Sequence, residues 1–262
     1  MIAEVQLRGL FSFLILFSFL GFTRAQASYQ PLITDGEVQT VNAAGEQYID
    51  YILPEKPNFD QLILEAVGAD GGWIEYQYYD HFKSVRSKRV NGGEGAMVTA
   101  TYSVGVGRSI PPGSVLRFVI GNRGHWAKYD LLGDGGNGAG GGGGTAILLS
   151  KDSGVTWTLL LVAGGGGGAG VRFREDRNEI EMNAGQPGTS AEHGIGGQHH
   201  KYLMADGGMQ GSGGHSSENT GGGGGGSYIN MTGIFPLNVE KVENGNTNNT
   251  GDGYIRYKCI KS

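Results

Sequence analysis

Four histidines fall close together, His193, His199, His200 and His215, with Glu192, Asp206 and Glu218 near them. Neutral imidazole is a common ligand for zinc and copper, so this cluster is the first place to look for chemistry. Its spacing matches no structural zinc pattern, and the segment is polar and interrupted by glycine. It reads as a set of solvated loop histidines, and no metal is expected. Gly-x-Gly-x-x-Gly recurs along the chain and would suggest a phosphate-binding loop. Inside a glycine run that match is automatic, and no helical pattern follows any run to supply the N-terminal amides such a loop needs. A Walker lysine, a Gly-x-Ser-x-Gly elbow and a His-Glu-x-x-His pair are all missing from the sequence. Asp70, Asp134, Asp206 and Asp252 each precede glycine, which is ordinary turn chemistry without calcium-loop spacing. The expectation is a binding protein rather than an enzyme, with no cofactor.

Residue types suited to binding gather elsewhere. Tyr78, Tyr79, Lys83, Arg86, Lys88 and Arg89 crowd into one stretch, with Tyr76 and Phe82 among them. Aromatic side chains beside arginine are frequent interface material. The cations suit an acidic glycan or the acidic face of a protein partner. The stretch from Trp73 to Arg89 is therefore the candidate binding loop, with a merely solvated charged loop as the competing reading. Asn230 and Asn248 head Asn-x-Thr sequons and are candidate glycosylation sites if the chain passes through a eukaryotic secretory pathway. Cys259 is the single cysteine, so no internal disulfide can form. Two readings stand for it: a buried thiol in the last strand, or self-association through a bridge to another chain.

The elements that hold these residues begin after a leader. Residues 1–27 read as a signal peptide, with Arg8, an apolar stretch over 10–22 and Ala25-Gln26-Ala27 as the cleavage site. Thirteen apolar residues are short of the roughly 20 a membrane span needs. A secreted, extracellular product without membrane insertion is expected. The net charge of −5 becomes −6 once the leader, which carries a net +1, is removed. That balance gives no reason to expect a nucleic-acid partner. After an N-terminal extension over 28–45, residues 46–262 read as one composite domain. Strand-like runs cover 48–53, 61–67, 96–104, 115–120, 145–150, 155–163 and 253–260, and helical spacing is hard to find.

Glycine dominates what remains. The chain has 51 glycines, 32 of them between positions 133 and 226. Runs at 140–144, 164–168 and 221–226 alternate with core-quality strands, which a flexible linker has no cause to do. Such runs have no side chains to bury and lose much backbone entropy on ordering. They become ordered only if their N–H and C=O groups are satisfied by neighbouring segments. The extended threefold helix of polyproline type has no internal hydrogen bonds, so without side chains it can pack against similar helices on several sides. Each run would then be about 15–19 Å long. Collagen is excluded, because seven prolines and no Gly-X-Y period do not make a triple helix. Ala139 and Asn137 would face outward or lie at the edge of such a block.

The order Glu65-Ala66-Val67-Gly68-Ala69-Asp70-Gly71-Gly72, a strand ending in Gly121-Asn122, then GAGGGGGTA over 138–146, resembles a known family. It is similar to the glycine-rich extracellular domain of anaplastic lymphoma kinase and leukocyte tyrosine kinase, modules of which also occur in bacterial and protist secreted proteins. The resemblance extends over about residues 47–258 and is strongest at 138–170, the hairpin between two glycine runs. It implies an all-β fold, a β-sandwich of tumour-necrosis-factor-like type packed against a block of poly-glycine type II helices. In the receptors this region binds polypeptide ligands. This sequence carries no kinase domain, and it lacks the several cysteines of the animal receptors, so signalling is not carried over and no ligand-contact residue is transferred. The function expected is a secreted recognition or adhesion module for an unidentified extracellular protein or glycan. The alternative is a self-assembling matrix or surface-coat protein.

Overall fold

A computed structural model describes residues 29–42, 48–79, 81–130, 136–174, 179–191, 224–242 and 251–262. Residues 1–27, the four clustered histidines and Asn248 lie outside the described residues. Among those described the chain is all-β, with seventeen strands and no helix. They are β1 (Gln30–Pro31), β2 (Gln39–Asn42), β3 (Ile49–Ile52), β4 (Gln61–Val67), β5 (Ile74–Tyr79), β6 (Val85–Val90), β7 (Met97–Ser103), β8 (Val115–Val119) and β9 (Ala127–Asp130). There follow β10 (Gly136–Gly138), β11 (Thr145–Ser150), β12 (Thr158–Ala163), β13 (Gly170–Arg174), β14 (Glu179–Asn183), β15 (Tyr228–Ile229), β16 (Asn238–Val242) and β17 (Tyr254–Ile260).

Two large sheets share one core in a sandwich-like arrangement. One has the order β1-β3-β8-β11-β12-β15, the other β16-β7-β4-β17-β2. Strict alternation explains why these segments pair so: Leu62, Leu64 and Ala66 of β4 point inward, as do Val98, Ala100 and Tyr102 of β7. Period-two burial is the signature of a sheet with one covered face. Phe118 from one sheet and Tyr257 from the other meet with ring centroids 5.9 Å apart, and Tyr51 lies 5.1 Å from Phe118. Residues 29–42 belong to this fold and are not a separate extension. β1 pairs with β3, β2 pairs with β17, and Leu32 and Val41 enter the core.

Two smaller three-stranded sheets, β6-β5-β9 and β10-β13-β14, enclose a second core of Ile74, Tyr76, Ala169 and Val171. Glycine-bearing segments join the two parts. Residues 68–73 run from β4 to β5, 91–96 from β6 to β7, 120–126 from β8 to β9, 139–144 from β10 to β11, and 164–169 from β12 to β13. Each thus ties a sandwich strand to a strand of the distal pair of sheets, so the glycine segments form the layer between them.

Within that layer the hydrogen bonds recur every third residue. Gly68 and Gly71 donate to Ala96 and Gly93, both at 2.9 Å, whereas Ala69 and Gly72 donate to Gly143 and Gly140 at 3.0 and 2.7 Å. Asp70, between them, donates to Gly251. The segment 164–169 is buried throughout and lies at the centre. Its Gly164 and Gly167 carbonyls accept from Ala96 and Gly93, and its Gly166 and Ala169 carbonyls accept from Gly142 and Ala139. Its Gly165 carbonyl accepts from Gly225, and its Gly167 amide donates to Gln186. Where the pattern meets side chains, polar groups take over. Thr145 Oγ1 accepts from Gly121 N and Ser227 Oγ from Gly164 N, each at 3.1 Å, and both residues are fully buried. Asp70 Oδ1 accepts from Gly95 N in the same way.

Glycine is needed here for space rather than for an unusual backbone angle. No glycine of residues 68–72, 92–95, 140–144 or 164–168 has a positive φ. A Cβ on Gly68, Gly71, Gly93 or Gly166 would instead lie under 3.0 Å from a carbonyl oxygen of a neighbouring segment. Buried backbone cannot give way as a flexible side chain would. Ala139, expected at an outer edge, has its side chain packed against the second core instead.

Candidate functional site

The candidate binding residues fall on a β-hairpin. Residues 83–89, read from sequence as a loop, form the turn and most of β6, which pairs with β5 from Ile74↔Val90 to Tyr79↔Val85. The sequence reading missed this because almost every residue of β6 is exposed, so no buried alternation marks it. Lys83 turns the hairpin with φ 58°, and Phe82 beside it is 75% exposed.

Cross-strand pairing divides the predicted set between two faces. Tyr78 pairs with Arg86 and Tyr76 with Lys88 on the side of Ile74, which covers the second core. Glu75 pairs with Arg89 and Tyr79 with Val85 on the opposite, outer side. So Tyr79 and Arg89 share a face, Tyr78, Arg86 and Lys88 share the other, and Lys83 sits at the tip.

The outer face carries a residue that sequence reasoning missed. Trp126, just before β9, stacks on Trp73, just before β5, with ring centroids 5.1 Å apart and planes 10° from parallel. The Arg89 guanidinium lies over Trp73 at 4.3 Å from its ring centroid. Because β6 and β9 flank β5 on opposite sides, Arg89 and Trp126 reach Trp73 from strands on either side of it. The result is a ladder across three strands, whose open end is Trp126, 57% exposed. The strand β9 pairs with β5 in parallel, so Lys128 stands opposite Glu75 on the same outer face. A signal existed: Trp73 and Trp126 each close a glycine segment immediately before a strand.

The third tryptophan is bound up in a different contact. On the outer surface of the six-stranded sheet, Arg117 lies 3.8 Å from the Tyr48 ring centroid and 4.0 Å from that of Trp157. Its guanidinium donates to both carboxylate oxygens of Asp50 at 2.8 Å. Those bonds, set against burial, push Arg117 above its ordinary range. This cage is filled by the protein's own arginine and holds β3 to β8.

The other sequence candidates behave as follows. Asn230 is buried, its Nδ2 donates to Leu159 O at 2.9 Å, and its Oδ1 accepts from Thr232 N at 2.7 Å. The folded chain therefore offers this sequon no accessible acceptor. Among the described residues no group of three or more His, Cys, Asp or Glu could hold a metal, and no helix is long and apolar enough to cross a membrane. Cys259 is unpaired and buried, with Sγ 3.8 Å from Ile33 O. A bridge from it to another chain would require opening the five-stranded sheet.

Burial, with a smaller effect of Asp35, pushes the Cys259 thiol up to about 12. Burial also raises Tyr102, whose hydroxyl has no hydrogen-bond partner among the described residues. Both groups hold their protons more tightly folded than unfolded. Their contribution to stability is whole below about pH 9 and is lost as pH rises through the folded values. Denaturant midpoints should be level up to about pH 8 and fall steadily above about pH 9. A thiol reagent at neutral pH should leave the native protein unlabelled and label it in denaturant. Equal labelling rates in both states would contradict the buried thiol.

No family model matches the chain, and neither does any curated protein.

Proposed function

We propose that the chain is a secreted recognition module whose rigid glycine layer carries the distal sheet face as its contact surface. On this reading the sandwich is of tumour-necrosis-factor-like type and the glycine segments are poly-glycine type II helices, as in the glycine-rich receptor domains it resembles. The three-residue recurrence of the hydrogen bonds between segments supports the helical reading, because a backbone that returns to the same neighbour every third residue has three residues per turn. The signal-like residues 1–27 support secretion.

The observation that carries the binding role is the exposed Arg89–Trp73–Trp126 ladder at the far end of the glycine layer. Stacked aromatics with a pinned guanidinium are rigid, so little side-chain entropy remains to be lost on binding. The test is direct binding of the labelled protein to the surface of its native cells. Replacing Arg89 and Trp126 together with alanine should reduce binding by at least about tenfold while thermal unfolding stays unchanged. Undiminished binding would remove this face as the contact surface.

The second reading, a self-assembling coat or matrix protein, has one observation in its favour. The strand β16 is an edge of the five-stranded sheet among the described residues, and Phe235 and Leu237 beside it are about 60% exposed. Sedimentation over a hundredfold range of concentration, roughly, separates the two. A monomer throughout favours recognition, and growing oligomers favour assembly.

A further inference from the structure

We infer that the outer face of the β6-β5-β9 sheet binds an anionic polysaccharide, with Trp126 as the stacking platform and Arg89 as the anion clamp. The inference rests on the recognition reading and names its ligand class.

Three features select this ligand. The first is the platform. Trp126 has one ring face covered by Trp73 and remains 57% exposed, so a flat, immobilised indole is offered at the open end of the ladder. An indole face attracts polarised C–H bonds through its negative π cloud, and the C–H face of a pyranose ring supplies them. The second is the clamp. Stacking on Trp73 occupies the flat side of the Arg89 guanidinium and leaves its N–H donors in the plane. That planar fork matches the paired oxygens of a carboxylate or sulfate. The third is charge. The full chain is at −5, yet residues 74–90 carry Lys83, Arg86, Lys88 and Arg89 against Glu75 and Asp80. Of these cations Arg89 is on the outer face and Lys83 at the tip, with Arg86 and Lys88 exposed on the other side of the hairpin. Lys128 adds another exposed cation on the same sheet. An acidic polymer is the complement to such a local excess.

A protein ligand fits less well. Protein hot spots sit in well-packed, desolvated surroundings. Here the tryptophan ladder is bordered along the sheet by the polar side chains Glu75, Gln77, Ser87 and Lys128. The apolar Tyr79 and Val85 of the same face lie beyond them toward the hairpin tip. An aromatic island in a polar field suits a ligand that alternates C–H patches with hydroxyls.

The full chain is run by affinity electrophoresis through gels containing dextran sulfate, polygalacturonate or neutral dextran. Retardation is expected in one or both polyanions and not in neutral dextran. Trp126→Ala should weaken it by about tenfold, with Trp126→Phe recovering most of the loss. Arg89→Ala should weaken it comparably. Raising salt from about 50 to about 500 mM should reduce affinity by at least about a hundredfold, as counterion release requires. Amide protection of the glycine layer in each variant shows that the fold is kept. Equal retardation by neutral dextran, or retardation by polyanions that survives both substitutions, overturns the inference. If no polysaccharide retards the chain while binding to native cells still depends on Arg89 and Trp126, the ligand is a protein. The saccharide inference then falls and the recognition reading stands.

Discussion

Gly166→Ala is expected to destabilise the protein by at least about 3 kcal/mol, the upper end of what overpacking costs. Gly141→Ala should be neutral, or stabilising by up to about 1 kcal/mol. The two positions lie in adjacent runs and neither has a positive φ, so intrinsic backbone preference does not distinguish them. Their surroundings do. A Cβ on Gly166 would lie under 3.0 Å from the Gly93 carbonyl oxygen, in a segment that is buried on every side. The Gly93 carbonyl accepts from Gly71, and the Gly93 amide donates to Gly167, so it cannot retreat without breaking both bonds. A Cβ on Gly141 has its nearest neighbour at 3.7 Å and points to an exposed position. There alanine only reduces the freedom of the unfolded chain. Denaturant titration of the two variants checks the contrast, and equal effects would mean that the 164–168 run is not the centre of a packed layer.

Arg117→Met is expected to cost about 3 kcal/mol, and Asp50→Asn in the same chain to restore more than half of it. The Asp50 side chain is only 9% exposed and Arg117 23%, so removing the guanidinium leaves a carboxylate that is nearly dry and unpaired. Two cation–π contacts, to Tyr48 and Trp157, go with it. The second substitution removes the stranded charge and leaves only lost contacts. Arg117→Lys should fall between, because an ammonium keeps the charge and loses the bidentate fork. Urea midpoints for the four chains provide the check. A double variant no more stable than Arg117→Met would show that the carboxylate is better solvated than its burial implies.

How far the sequence could be read depended on whether a segment carried its own pattern. The strands 61–67 and 145–150 were legible to the residue, since QLILEAV and TAILLS place apolar side chains toward the core at period two or nearly so. In 155–163 the strand starts only at Thr158, because Asp152 organises the turn with Ser150 and Thr156. The short strands β1 and β2 are polar and largely exposed, so nothing local marked them as part of the sandwich. The hairpin β5–β6 was half visible: its aromatics and cations were recognised as binding material, but β6 has no buried face. Trp126 escaped because it reaches Trp73 only through the parallel pairing of β9 with β5, across about fifty residues of sequence.

The glycine segments mark the sharpest limit. A run of identical residues holds no register, so neither the partner of each segment nor its direction can be read from it. Residues 164–169 lie parallel to 68–72 and antiparallel to 139–144, as their bonding registers require. What the sequence did reveal was the need for partners, because ordered glycine must satisfy its amides elsewhere. The flanking strands then supply the register, since each segment is fixed at both ends by a sheet whose side chains do carry a pattern.

The measurement that bears most directly on this account is amide hydrogen exchange resolved over residues 164–168, compared with the hairpin β11–β12. Bonded to neighbours on all sides, the Gly166 and Gly167 amides should exchange as slowly as those of Leu160 and Leu161, through unfolding of the whole domain. Exchange of those glycines at the rate of an open chain, while the hairpin stays protected, would mean that no ordered layer joins the sandwich to the distal sheets.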